Sequence, residues 1–261
     1  AANPEPAAPE AVVPASVAPQ LPVTPQTAPA AGARPAIEIR GLTKAFGQKV
    51  AVDRINLDIP SGSFYGLVGR NGAGKTTTIS MVTGMLMPSE GTAYVRGIDM
   101  WADPLKAKAH LGVLPDGVHL FDKLTGEQLI TYSGYLHGID KETVASRVKD
   151  LLTAMDLTDA AGRAVADYSA GMTKKIALAA ALVHAPSVLI LDEPFSGLDP
   201  DAVDLTVQVL RDIADTGAPV LFSSHQLDVV GRLCDELVVI CVFYTSPNPR
   251  DRTRSRMPSY A

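Results

Sequence analysis

The chain has 261 residues, 46% hydrophobic and 20% charged, with 23 basic and 28 acidic side chains and a net charge of −5. That is enough apolar material for a sizeable core and excludes a collagen-like or wholly disordered chain. The acidic balance argues against a general nucleic-acid binder. Two cysteines, Cys234 and Cys241, make neither a disulfide framework nor a zinc site. Apolar runs such as 237–244 stop at about eight residues, where a membrane-spanning helix needs about 20, so none is expected to span a bilayer.

Residues 1–35 are the first of three compositional segments, and twenty of them are Ala or Pro. Recurrent proline blocks helix propagation and removes ladder donors. Large apolar groups are too few to offset the entropy of ordering, so this segment reads as a disordered arm. Residues 36–242 read as globular. Ile37 and Ile39, then Val50, Val52, Ile55, Leu57 and Ile59, predict early strands of period near two. Residues 64–68 predict a compact strand that runs into a glycine loop, with a helix over 75–86. Residues 188–191 read as a buried parallel strand, and 220–222 and 237–240 repeat the pattern. Strands alternating with helices predict an α/β fold with a mainly parallel sheet. A helical subdomain is expected at about 117–184, with no strand between 124 and 184. Within it, Thr125 and Gln128 read as a capping box, one helix is predicted over 140–155 and another after Ser169. Residues 243–261 carry four Arg and one Asp without periodicity and read as an irregular basic tail. The abrupt change of composition suggests a frameshifted or truncated C-terminus.

Chemistry concentrates at two places. Gly69-Arg-Asn-Gly-Ala-Gly-Lys-Thr-Thr77 fits the G-x-x-x-x-G-K-[ST] phosphate loop and sits between a predicted strand and a predicted helix, the context this motif needs. The loop Gly69, Asn71, Gly72, Ala73 and Gly74 lets the backbone curl around phosphate, with N–H groups facing the anion. Lys75 suits β/γ-phosphate charge, Thr76 closes the motif and suits a Mg²⁺ ion, and Thr77 follows it at the head of the helix. The second place is the end of the 188–191 strand, where Asp192 and Glu193 stand side by side. Asp192 suits the outer shell of Mg²⁺, and Glu193 is placed to orient and polarise an attacking water. No N-K-x-D sequence for reading guanine occurs.

Three further stretches carry a resemblance. Tyr168-Ser-Ala-Gly-Met172 resembles the signature motif of the ATP-binding cassette (ABC) ATPases, Ser196-Gly-Leu-Asp199 resembles their D-loop, and His225 in Ser-Ser-His-Gln resembles their switch histidine. Phe46 lies where that family places an aromatic residue for adenine. Order and spacing agree over about residues 36–242, and the Tyr-Ser-x-Gly-Met signature looks like that of bacterial ABC-2-type exporters.

The resemblance implies a P-loop NTPase fold with an N-terminal antiparallel β subdomain and a helical subdomain bearing the signature. It implies ATP and Mg²⁺ as cofactors, with Glu193, His225 and Lys75 catalytic and Thr76, Asp116 and Asp192 near the metal. It also implies a homodimer, or a heterodimer of two cassettes, with ATP at the interface. There Ser169, Gly171 and Asp199 of one cassette face the phosphate loop of the other. A separate membrane permease would dock on block 117–167 at the cytoplasmic face of the cell membrane, and no nucleic-acid partner is implied.

The sequence departs from the family at Asp116, where Gln is usual, and at Tyr168, Ala170 and Met172. Asp116 is shorter than Gln and charged, so it reaches a metal differently. His110, His119, His137 and His184 show no ligand spacing and read as structural or surface residues. The alternative reading is a soluble ABC ATPase acting on ribosomes or DNA. Against it, ribosomal members usually carry two cassettes, and DNA-repair members insert a long coiled coil where only 93 residues separate Lys75 from Ser169 here.

Overall fold

The computed structural model describes residues 34–117, 120–226, 230–231 and 233–240. The Ala/Pro-rich arm up to residue 33, His119, Cys241 and the basic tail lie outside the described residues.

Strands β1 (Ile37–Phe46) and β2 (Lys49–Ile59) form a hairpin, followed by β3 (Phe64–Val68) and helix α1 (Lys75–Val82). Next come β4 (Glu90–Val95), β5 (Ile98–Asp99), the short α2 (Pro104–Ala109) and β6 (Leu111–Leu114). Helices α3 (Gly126–Leu136), α4 (Lys141–Ala154) and α5 (Ala170–Leu182) follow, then β7 (Val188–Leu191), α6 (Pro200–Asp215), β8 (Val220–Ser224) and β9 (Glu236–Val239). Two sheets result. One is antiparallel, in the order β2-β1-β4-β5, and the other is parallel, in the order β6-β7-β8-β3-β9.

The parallel sheet is covered on both faces, which explains its continuous apolar runs. In β3, Phe64 and Val68 face the helical side, while Tyr65 and Leu67 face the antiparallel sheet. In β7, Leu189 and Leu191 point one way, and Val188 and Ile190 the other. The Phe222 ring of β8 lies 5.4 Å from both Phe64, which it meets tilted, and Phe195, which it meets edge to face, and this joins the central strands to the loop after β7.

The helices of the helical subdomain start where the sequence places them. Thr125 and Gln128 form both halves of a capping box, Asp140 caps α4 and Ser169 caps α5. Between 124 and 184 the described residues hold no strand, only one isolated bridge from Thr125 to Ala164. Helix α1 is four residues shorter than predicted because Gly84 turns left-handed at φ +69°, and the Met85 and Leu86 N–H groups fold back onto the Ser80 carbonyl. Strand β9 begins one residue earlier than its apolar run, and β4, β5, α2 and α6 were not predicted. Among the described residues no helix is long and apolar enough to cross a membrane.

Candidate functional site

Parallel strands deliver their C-terminal ends to one edge of the sheet, the usual place for a ligand in such folds. Here β3 leads into the glycine loop, β6 to Asp116, β7 to Asp192 and Glu193, and β8 to His225.

The loop after β3 takes its shape from two glycines. Gly72 has φ +79° and Gly74 φ +101°, values that strain any residue with a Cβ. A Cβ on Gly74 would also lie 2.6 Å from the Ala51 carbonyl oxygen of β2. Gly74 is the N-cap of α1 and supplies no side-chain cap. The first-turn N–H groups and the positive end of the helix dipole are thereby left for an anion.

Above this loop opens a cavity of about 510 Å³. Of the residues singled out from the sequence, Phe46, Asn71, Gly72, Gly74, Lys75, Thr76, Thr77, Asp116, Glu193 and His225 line it. Lys75 is only 6% exposed, so its ammonium is held rather than solvated. It donates to the Gly69 carbonyl at 2.8 Å and stands 3.6 Å from Glu193 Oε1. The other Glu193 oxygen, Oε2, is 2.9 Å from His225 Nδ1. One carboxylate therefore bridges a lysine and an imidazole at the mouth of a phosphate loop. Phe46 is half exposed at the far rim, with the Lys44 ammonium 5.3 Å from its ring centre.

Beneath the cavity the carboxylates are fixed from behind. Asp192 is buried, and its Oδ1 accepts the hydroxyl hydrogen of Ser223. The Ser223 oxygen in turn accepts the Glu193 N–H at 2.9 Å. Glu193 sits at φ +49°, a left-handed conformation that costs a non-glycine residue about 1–3 kcal/mol and survives only where neighbours enforce it. Its carbonyl accepts the Lys174 ammonium at 2.5 Å, and the same ammonium donates to the Ser196 carbonyl at 2.8 Å. Burial pushes the Lys174 pKa down, opposed by the charges of Asp116, Glu193 and Asp192.

Several predicted site residues do not line the cavity. Gly69 and Ala73 form the body of the loop, and Asp192 lies below it. Ser169, Gly171 and Asp199 stand at two helix starts: Ser169 caps α5 by accepting the Met172 N–H, and Asp199 caps α6 by accepting the Ala202 N–H. A Cβ on Gly171 would lie 3.6 Å from Leu198, so the two helix starts are neighbours. Sequence reasoning missed Ser223 and Lys174. Ser223 stands near the end of an apolar strand, in the Ser-Ser-His-Gln stretch read for His225, and Lys174 is one of two adjacent lysines, of which Lys175 directly precedes the apolar run of α5.

A second cavity, of about 400 Å³, lies between the parallel sheet and the helical subdomain. Its walls are largely apolar, with Leu111, Val113, Leu114 and Pro115 on one side and Leu120, Ala177 and Ala180 on the other. The side chains of Phe121, Tyr132, Tyr135 and Leu136 are exposed on this subdomain.

A glycine loop opening a helix at the carboxyl end of a parallel sheet, with an acidic strand beside it, defines a P-loop NTPase. Comparison with known proteins narrows this further. The ABC transporter family model matches residues 52–196, more than half of the chain, and the chain belongs to that family. It is 32% identical over 204 residues to the linearmycin resistance ATP-binding protein LnrL of Bacillus subtilis, covering 78% of this chain and 66% of the relative. It is 35% identical over 212 residues to the Nod factor export ATP-binding protein I of Ralstonia nicotianae, covering 81% and 66%. The chain thus spans just under two thirds of the length of these curated relatives. A solved structure described as the ATP-binding subunit of an ABC transporter superposes with a TM-score of 0.74 at 27% identity, covering 79% of this chain and 86% of that one.

Proposed function

We propose that this chain is the ATP-hydrolysing subunit of an ABC exporter, working with a separate permease at the cytoplasmic face of the cell membrane. The observation that carries the hydrolytic part is the Glu193 carboxylate, held between Lys75 and His225 over the open end of α1. Exporter function rests on the printed roles of the similar proteins in resistance and export.

The residues divide the work. The loop N–H groups from Asn71 to Thr77 cradle the phosphates, and Lys75 neutralises their charge. Phe46 offers its ring to adenine. Thr76 and Asp116 would hold Mg²⁺, with the buried Asp192 behind them in its outer shell, and the ion when bound offsets charge on the β- and γ-phosphates. The donor set fits that ion. Among the described residues no three His, Cys, Asp or Glu side chains form a cage, and Mg²⁺ is normally held by one or two carboxylates plus substrate phosphates. Glu193 orients the attacking water and accepts its proton, while His225 fixes that carboxylate and faces the γ-phosphate. Ser169, Gly171 and Asp199, outside the cavity of their own chain, complete the site of a second cassette. The apolar groove between sheet and helical subdomain, with its exposed aromatic residues, receives a cytoplasmic helix of the permease.

Glu193→Gln tests the hydrolytic reading. The variant keeps the shape and loses the base, so turnover is expected to fall about 100-fold or more with ATP affinity retained. Wild-type turnover in Glu193→Gln would exclude Glu193 as the base.

A further inference from the structure

Lys174 is a half-buried cation that the hydrolytic reading leaves without a task. It stands in the second turn of α5, five residues beyond Ser169. Its side chain leaves the helical subdomain and reaches the loop after β7, where it bridges the Glu193 and Ser196 carbonyls. Both contacts are to main chain, which leaves the Glu193 carboxylate to Lys75 and His225. Glu193 is left-handed, and two side chains hold its peptide groups: Ser223 at the N–H and Lys174 at the carbonyl. A charged donor spanning two carbonyls of one turn clamps it more firmly than neutral hydrogen bonds do.

We propose that Lys174 is a positioning residue for hydrolysis: from the head of α5 it holds the Glu193 main chain in the turn that aims the carboxylate into the phosphate cavity. The inference rests on the ATPase reading above. It also gives α5 a second role. Because α5 begins at Ser169, the aim of the base depends on how the signature helix sits against the β7 loop of its own chain. A displacement of about 1 Å at a reacting group lowers rate by up to about 100-fold.

The test uses the full chain, with steady-state ATPase kinetics, equilibrium binding of the fluorescent analogue mant-ATP, and thermal unfolding. Lys174→Met is expected to lower kcat about 10- to 100-fold while mant-ATP affinity stays within about twofold. Lys174→Arg keeps donors for both carbonyls and is expected to recover most of the loss. Lys174→Gln, neutral and able to donate to both carbonyls only weakly, gives an intermediate kcat and stands in should Lys174→Met fail to fold. Unchanged kcat in the neutral variants overturns the proposal. So does a joint fall of kcat, nucleotide affinity and unfolding temperature that Lys174→Arg does not repair. If the wild type hydrolyses ATP and Glu193→Gln abolishes it, such results count against Lys174 alone. If Glu193→Gln hydrolyses ATP as fast as wild type, or the wild type does not hydrolyse it, the ATPase reading fails and the positioning role falls with it.

Discussion

Ser223 shows how much of this site hangs on one hydroxyl. The residue is fully buried, and its oxygen donates to Asp192 while accepting the Glu193 N–H. Removing that oxygen leaves a buried carboxylate and a part-buried amide each short of a partner. Loss of a buried partner costs about 1–3 kcal/mol, and more where the orphan is charged. Ser223→Ala is therefore expected to lower unfolding free energy by about 2–3 kcal/mol, read as a lower urea midpoint at constant slope. It should also lower kcat more than ATP affinity, since it loosens Glu193 and leaves the glycine loop alone. An unchanged urea midpoint would show that water replaces the hydroxyl at no cost. The roles of Ser223 and Lys174 were not legible in the sequence, because each depends on contacts across 30 and 19 residues that only the closed sheet brings about. The glycine loop and the Asp192-Glu193 pair were legible, because strand, turn and helix signals there are contiguous.

At the scale of elements, a stacked pair of imidazoles joins the helical subdomain to the sheet. His137 caps the C-terminus of α3 and His184 lies just beyond α5, with ring centres 3.8 Å apart and planes within 7°. His184 Nε2 donates to the Leu111 carbonyl of β6 at 3.0 Å, which fixes the tautomer and leaves Nδ1 buried without a partner among the described residues. Burial first, then the neighbouring His137, pushes the His184 pKa down to about 4. An unfolded histidine titrates near 6.5. Between these values the unfolded chain binds the proton and the folded chain does not, so acid favours unfolding. His184 alone is expected to remove about 2 kcal/mol of stability from pH 7 to pH 5. His184→Gln, whose amide can still donate to Leu111, should flatten that part of the pH dependence in urea unfolding. Equal pH slopes for both proteins would mean that His184 titrates normally. The pairing was invisible in the sequence, where His137 and His184 have no ligand spacing. The helices they terminate were visible, through the Thr125–Gln128 box and the helical pattern after Ser169. Elsewhere the element signals were weak or unread. Helix α6 starts on Asp199-Pro200 with apolar residues at helical spacing, yet that stretch was read only for its motif. Strand β4 carries a glycine and a charge at its head and buries only Ala93 and Val95, too few to set a period.

Across the whole molecule, the cavity and the signature residues lie apart. The phosphate loop, Glu193 and His225 line the cavity, whereas Ser169, Gly171 and Asp199 crown the starts of α5 and α6 outside it. If, as proposed, the signature residues complete the site of a second cassette, each chain would hold half of a site in each of two patches and would be self-complementary under a two-fold axis, where patch one meets patch two twice. ATP would then be bound only in full by the pair, and its affinity would be linked to association by mass action. Glu193→Gln would favour this state in two ways: loss of the proposed base would slow hydrolysis, and the substitution removes a negative charge beside Lys75, 3.6 Å away. Light scattering of Glu193→Gln is therefore expected to show the mass doubling on addition of ATP and Mg²⁺, and no doubling with ADP. Adding Ser169→Arg places a bulky cation on the signature patch and should abolish the doubling while leaving mant-ATP binding to the monomer's own phosphate loop. A Glu193→Gln chain that binds ATP yet stays monomeric at micromolar concentration would sink the sandwich for the isolated subunit. Doubling that persists in the Ser169→Arg variant would instead place the interface elsewhere and overturn the proposed role of α5 in the partner's site.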